Sequence, residues 1–368
     1  MIGHIRRWNS SLDDRIHPRA LALLRLAAAP LVIIHLLPSL SETSNPHYTL
    51  PYASWYPTAP PDVRRLILWL TVVSAVAVSV GLLTRVAAWV TVGGVGWNLF
   101  LSQTYFHHNR AFLLILLIGI AVLPTGAVLS LDHRLGTPAF LSVGNGRRLA
   151  LTALRCEIAL VYLASGFSKL VDPDWWGGIV TLIRVERHVG NIAGRIPGWA
   201  VELLTSPGFH RWAAKTIVLA ELFIGVGLLW RRTRLGAVWV AVWFHLAIEA
   251  TANVQVFSLA AIAALAIWVT PGPPDRIVAL GADVRPTTRR AIRLLDWTGR
   301  FRAATHLGTG WEVVDRDGSI RRGRAALWFV LSRLPLTFLI AAPALLATGR
   351  RAYAERVGAS DSDVEVPA

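Results

Sequence analysis

The sequence predicts a mainly α-helical, polytopic transmembrane bundle of about eight spans, followed by a small α/β domain. Three observations lead there. Of 368 residues, 54% are hydrophobic and only 16% charged, with a mean hydropathy of +0.49, which does not suit a soluble domain of this length. The apolar residues fall in runs close to the ~20 residues a spanning helix needs. After Pro271 the composition changes, with a Pro-Gly-Pro-Pro break over 271–274 and then arginines separated by apolar residues.

In order, the runs lie at about 20–40, 65–84, 86–104, 111–131, 149–171, 213–230, 235–251 and 253–270. A charged stretch precedes the first, without the pattern of a cleavable signal peptide, so that run stays as an anchor. Starting the chain in the cytoplasm puts Arg6, Arg7, Arg15, Arg19, Arg85, Arg134, Arg147, Arg148, Arg231, Arg232 and Arg234 inside. Arg64, Arg65, Arg110, Arg184, Arg187, Arg195 and Arg211 are left outside. The bias predicts a multi-pass protein of the cytoplasmic (inner) membrane with both termini cytoplasmic. Two long segments then face outward: Ser41 to Asp62, rich in Pro and Tyr, and Asp172 to Arg211, which holds Trp175, Trp176, Pro197 and Trp199.

The formal net charge of +15 is spread in short arginine clusters between apolar runs, with no basic stripe interleaved with aromatics, which argues against nucleic acid as a partner. Cys156 is the single cysteine, so an intrachain disulfide or a cysteine-based metal site is excluded.

Lys169 is the most informative residue. It is one of two lysines in a chain with 35 arginines, and it ends the run Leu149 to Leu170, just before Asp172, Asp174, Trp175 and Trp176. Unlike arginine, a buried lysine can become a neutral amine and act as a base. The alternative is an ammonium that snorkels to the headgroups beside an aromatic belt. With this topology His35, His107, His108, Asn109 and Arg110 also fall in the outer half of the bundle. His245 and Glu249, four residues apart, share a helix face there. Ionisable residues at membrane depth mark a functional site by default, although each histidine could instead be satisfied by backbone or headgroups. No complete metal-ligand set appears, so no metal is expected. Glu221 and Arg25 lie nearer mid-depth and have the character of structural partners in the bundle.

The segment Tyr162-Leu-Ala-Ser-Gly166-Phe-Ser-Lys169-Leu170, followed by Asp174-Trp175-Trp176-x-Gly178, resembles the signature of the HTTM superfamily, the membrane domain of vitamin K-dependent gamma-carboxylases. His108-Asn109-Arg110-Ala111-Phe112-Leu113, leading to Leu123-Pro124, is similar to the family's Asn-His-x-Tyr-Leu turn, and Phe244-His245 with Phe257-Ser258 to its later histidine helix. The resemblance covers about residues 10–270. It implies Lys169 as the base that deprotonates a reduced naphthoquinone of menaquinone or vitamin K type. His245 and His108 join it in the catalytic set, His245 orienting quinone or substrate. Arg110, Asn109, Tyr162, Trp175, Trp176 and Glu249 then line the quinone site. The implied partners are the lipid bilayer, the lipid-soluble quinone and a protein or peptide substrate on the outer side. In the family, oxygen converts the quinol to an epoxide through a strongly basic alkoxide, which removes a γ-proton from glutamate before carbon dioxide adds. Two departures stand out: Arg110 replaces the histidine of the turn, and the large extracytoplasmic β-rich region is missing. Quinone chemistry is therefore implied more firmly than protein carboxylation. A non-catalytic scaffold and a transporter remain open, the latter resting on Glu221 and Arg25 but lacking an inverted repeat.

In the tail, Ile277 to Leu280 reads as a strand, Thr287 to Leu295 as a helix, and Trp311 to Gly318 as a strand entering a turn. Ala325 to Thr348 is either a ninth span or two short helices, since Arg333, Pro335 and Pro343 break it. Through Arg289-Arg290-Ala-Ile-Arg-Leu-Leu-Asp296-Trp297, Asp317-Gly318, Gly323-Arg-Ala325-Ala326, Leu334-Pro335 and Tyr353 to Val357, residues 275–357 resemble DCC-type domains related to thioredoxins. The stretch Leu280-Gly-Ala-Asp283-Val284-Arg-Pro-Thr287 lacks both cysteines of that family. Dithiol exchange is thus excluded, and the resemblance implies a degenerate partner or scaffold at the cytoplasmic face. Residues 358–368 read as a disordered acidic tail.

Overall fold

The computed structural model describes residues 18–45, 48–103, 106–142, 148–230, 233–252, 256–268, 276–281, 284–297, 299–305, 310–315 and 318–340. The chain forms two compact units, Met1–Val269 and Thr270–Ala368. Tyr353 to Val357, the acidic tail, the 271–274 break and Arg147, Arg231 and Arg232 lie outside the described residues.

The first unit is helical. Helices α1 (Arg19–Leu26) and α2 (Ala28–Ser41) share one apolar stretch, and α3 (Pro61–Val80) and α4 (Thr84–Phe100) form a tight hairpin beside it. Next come α5 (His108–Val122), the short α6 (Leu131–Leu135) and α7 (Ala139–Ser142), and the long α8 (Arg148–Leu170). The segment expected outside contains α9 (Pro173–Trp176), α10 (Ile179–Ile192) and α11 (Gly198–Thr205). Helices α12 (Pro207–Leu229), α13 (Arg234–Ala252) and α14 (Val256–Ala264), the last continued by a 3-10 turn Leu265–Trp268, complete the unit.

Each apolar run read from the sequence thus carries a helix. Among the described residues, four stretches are long and apolar enough to cross a membrane: Arg19–Ser41, Pro61–Val80, Arg148–Leu170 and Pro207–Leu229. Helix α5 stops at Val122, short of the run's end near 131, because the chain turns at Leu123 and Pro124. Helix α12 starts at Pro207, earlier than the apolar run, since Pro at the first helical position is preset for the helix.

Buried Arg25 holds the base of this bundle. It donates to Val78 O at 2.9 Å and Ser79 O at 2.8 Å, and also to Leu129 O. The first two are end carbonyls of α3, which lack intrahelical partners, so Arg25 acts as a C-cap. Gly81 closes that helix with φ +76°, a conformation that favours glycine. Across the same turn Asp132 caps the N-terminus of α4, accepting from Leu83 N and Thr84 N at 2.8 Å each and from Thr84 Oγ1 at 2.6 Å.

The second unit contains β1 (Arg276–Leu280), α15 (Pro286–Leu295), β2 (Phe301–Thr305), β3 (Trp311–Val314), β4 (Ile320–Arg322) and α16 (Gly323–Leu331). Its sheet runs β2-β1-β3-β4, with β1 and β2 parallel around α15 and the other pairs antiparallel. Val278, Leu280, Val313, Ala326, Phe329 and Val330 form its core. Strand β2 is not apparent in the sequence: its FRAAT segment is short and barely alternates. Asp296 fixes its start by accepting from Arg300 N at 2.9 Å and Phe301 N at 3.0 Å. The apolar stretch from Ala325 breaks at 332–334, where Arg333 stacks 3.8 Å from the Phe329 ring centroid, and helix resumes over 335–340.

Desolvation raises the cost of charge on Asp132, yet the hydrogen bonds from Thr84 and Leu83 outweigh it and hold the carboxyl below its usual range. The stabilisation from a depressed carboxyl is complete above the unfolded value of about 3.9 and lost as pH falls through the folded one. Asp132→Asn is predicted to destabilise the protein by about 1–3 kcal/mol at neutral pH. In detergent melts, its deficit against wild type should shrink below about pH 4.

Candidate functional site

The site forms where α8 and α12 pack along most of their lengths. Small residues allow the approach: a Cβ on Gly225 would lie 2.6 Å from Leu163 Cγ, and one on Gly166 2.9 Å from Leu222 Cδ2. With the backbones this close, Lys169 reaches across to Glu221.

Lys169 Nζ lies 2.6 Å from Glu221 Oε1 and 2.7 Å from Oε2. The side chains are 13% and 8% exposed, so the ammonium turns into the bundle instead of snorkelling. Ser165, one turn earlier, accepts from Lys169 and donates to Glu221 Oε1 at 3.0 Å. The Trp175 ring covers the amine with its centroid 4.9 Å from Nζ, and Arg184 of α10 lies 5.3 Å from the same centroid.

Local structure places Trp175. Asp172 caps α9 by accepting from Asp174 N at 2.9 Å, and Pro173 starts the helix. Gly178 then turns the chain at φ +83°, with the position of its missing Cβ 2.6 Å from Arg211 N, so no side chain fits there. Trp176 faces elsewhere: with Trp212 it flanks Lys215, at 5.6 and 5.3 Å. The second lysine therefore has the aromatic-belt setting, and Lys169 has the ion pair.

Tyr162 sits two turns before Lys169 on the same face of α8. Its hydroxyl is 2.7 Å from His245 Nε2 on α13. Rings of Tyr162, Phe244 and Phe257 surround that imidazole at centroid distances of 5.7, 5.3 and 5.4 Å, and Phe112 of α5 backs Phe257 at 5.5 Å. Two groups here are buried without a hydrogen-bond partner, His245 Nδ1 and Glu249 Oε2, and His35 on α2 leaves both nitrogens in that state.

The turn before α5 contributes its cationic rim. His107 Nδ1 caps the helix by accepting from Asn109 N at 3.2 Å. Burial, and then the positive neighbours His108, Arg110 and Arg184, hold the His107 imidazole below its usual range, as a neutral acceptor requires. His108 is exposed, with Arg184 and Lys169 in electrostatic reach, and Arg110 lies within reach of His35 and Tyr48. Asn109 contributes its backbone amide to the cap.

The profile of the HTTM domain matches residues 15–272. The chain belongs to the HTTM family. No curated protein and no solved structure matches it. Within the HTTM domain the structure unites Lys169 with Trp175, and Tyr162 with His245. Trp176 pairs with Lys215 outside that cluster. Ser165, Glu221 and Arg184 are missing from the residues the sequence nominates. Ser165 was detectable as a hydroxyl four residues before the lysine, and Glu221 as a carboxylate inside an apolar run.

Removing one partner of a buried ion pair strands the other charge, typically at about 3–5 kcal/mol. Lys169→Met is predicted to cost that much, and Lys169→Met/Glu221→Leu distinctly less. Thermal melts of the two single variants and the double variant measure the coupling, and strict additivity would count against the pair.

Proposed function

We propose that this HTTM protein is a quinol-dependent enzyme of the inner membrane in which the Lys169–Glu221 pair is the proton acceptor. The observation that carries the reading is the ion pair itself, held inside an apolar bundle. Its neutral tautomer, amine beside carboxylic acid, carries the same total charge. Lys169 Nζ can therefore present a lone pair while Glu221 stores the proton, without any charge entering the site.

The residues fit a hydroxyl-bearing aromatic ring. Phe112, Phe244 and Phe257 offer apolar walls, and the buried, unpartnered His245 Nδ1 and Glu249 Oε2 offer hydrogen bonds. When bound, a reduced naphthoquinone supplies an acidic hydroxyl and the reducing electrons. Lys169 Nζ takes the hydroxyl proton, and Tyr162 orients His245 through the bond to Nε2. Trp175 limits water at the amine, while Arg184 and His108 favour anionic charge nearby. Protein carboxylation is left aside, because Arg110 replaces the turn histidine and arginine cannot shuttle a proton at ordinary pH.

The same reading carries eight spans with both termini cytoplasmic, supported by a helix in each apolar run and by the arginine distribution. The second unit reads as a degenerate DCC-type domain, supported by its parallel β-α-β unit followed by an antiparallel pair. A scaffold is the second reading, favoured by the ion pair satisfying Lys169 and Glu221 without a ligand.

Lys169→Arg separates the two readings, since it keeps the charge but lacks the base. In menaquinol-containing vesicles the enzyme reading predicts quinol consumption that falls at least about a hundredfold in the variant, with its melting behaviour retained. Extraction of the purified wild type should release bound naphthoquinone. A wild type that is empty and leaves added menaquinol unchanged supports the scaffold.

A further inference from the structure

We propose that the opposite end of α8 carries a phosphate site for an anionic phospholipid headgroup, formed by Arg148, Arg155, Arg234 and Trp268. Trp268 closes the 3-10 turn after α14 and is 3% exposed. The guanidinium carbons of Arg155 and Arg234 lie 5.4 and 5.5 Å from its ring centroid. The indole Nε1 is buried without a hydrogen-bond partner. An indole N–H is only a donor, so the ligand that satisfies it must be an acceptor, and two cations flanking the ring require the same.

The local field agrees. Among the described residues, the charges acting on Arg155 are those of Arg234 and Arg148, both of its own sign. Backbone bonds hold the two inner guanidinium groups in place: Arg155 donates to Ile267 O, and Arg234 Nε to Leu228 O at 3.1 Å. Arg148 and Arg234 are also the first residues of α8 and α13, helices of 23 and 19 residues whose N-termini add positive potential and free N–H groups.

Arg155 lies seven residues into α8, about 10 Å along the axis from Arg148. A topology signal needs only arginines at the boundary; an inset arginine stacked on a buried tryptophan makes a pocket that receives an anion from the membrane side. Phosphate matches the paired guanidinium donors. The setting among membrane helices selects a lipid as its source over a free anion.

The test uses the full chain purified in mild detergent and titrated with phosphatidylglycerol, with phosphatidylcholine, and with inorganic phosphate, bound species being counted by native mass spectrometry. Preferential binding of phosphatidylglycerol is expected. Arg155→Gln/Arg234→Gln should weaken it about tenfold or more, the scale of losing charge-assisted hydrogen bonds. Trp268→Phe, which keeps the ring and removes only the N–H, should weaken it less while leaving gel-filtration behaviour unchanged. Equal binding of the two lipids by wild type, or phosphatidylglycerol binding unchanged in both variants, would overturn the site. Displacement of the lipid by millimolar inorganic phosphate would overturn the lipid assignment in favour of a free anion.

Discussion

The ion pair between Lys169 and Glu221 is the constraint around which the membrane unit is arranged. An ammonium and a carboxylate among apolar helices each lose hydration worth several kcal/mol, and only a short, hydrogen-bonded contact offsets that. Glycines at 166 and 225 bring α8 and α12 close enough for the contact. Ser165 bonds to both partners, and Trp175 covers the amine. Each of these features loses its purpose if the pair is replaced by two leucines. A sequence under selection for stability alone would have little reason to keep them.

The chemical consequence is a proton site in a hydrophobic setting. The pair can hold its proton on nitrogen or on oxygen at equal net charge, so proton movement avoids the large cost of creating charge at membrane depth. Tyr162 and His245 lie next to it along α8, joined by their own hydrogen bond and walled by phenylalanines. Together they give the bundle a polar interior at one end. Arg148, Arg155, Arg234 and Trp268 give it a cationic one at the other. Arg25 and Asp132 cap the helix ends of the α3–α4 hairpin and serve the fold alone.

Much of this was legible in the chain. Apolar run lengths located the helices, because a bilayer-scale hydrophobic stretch has few structural options. The rarity of lysine singled out Lys169, and the 3.6-residue period placed Tyr162 on its face. The partners were hidden for a physical reason: Glu221 is 52 residues from Lys169 and His245 is 83 from Tyr162, so the pairings depend on which helices pack together. Local patterning carries no such information. Trp176 illustrates the converse error of adjacency, since one residue of helical rotation turns it from Lys169 toward Lys215. In the second unit β1, α15 and β3 announced themselves by pattern, whereas β2 exists because β1 offers it an edge and Asp296 sets its start.

The two lysines allow a direct test of the central claim, that the Lys169 ammonium is turned inward onto Glu221. Reductive methylation of the folded protein, followed by peptide mass mapping, reads each amine separately. The account predicts rapid modification of Lys215 and protection of Lys169, with the protection lost in Glu221→Gln. Equal reactivity of the two lysines in the wild type would contradict it.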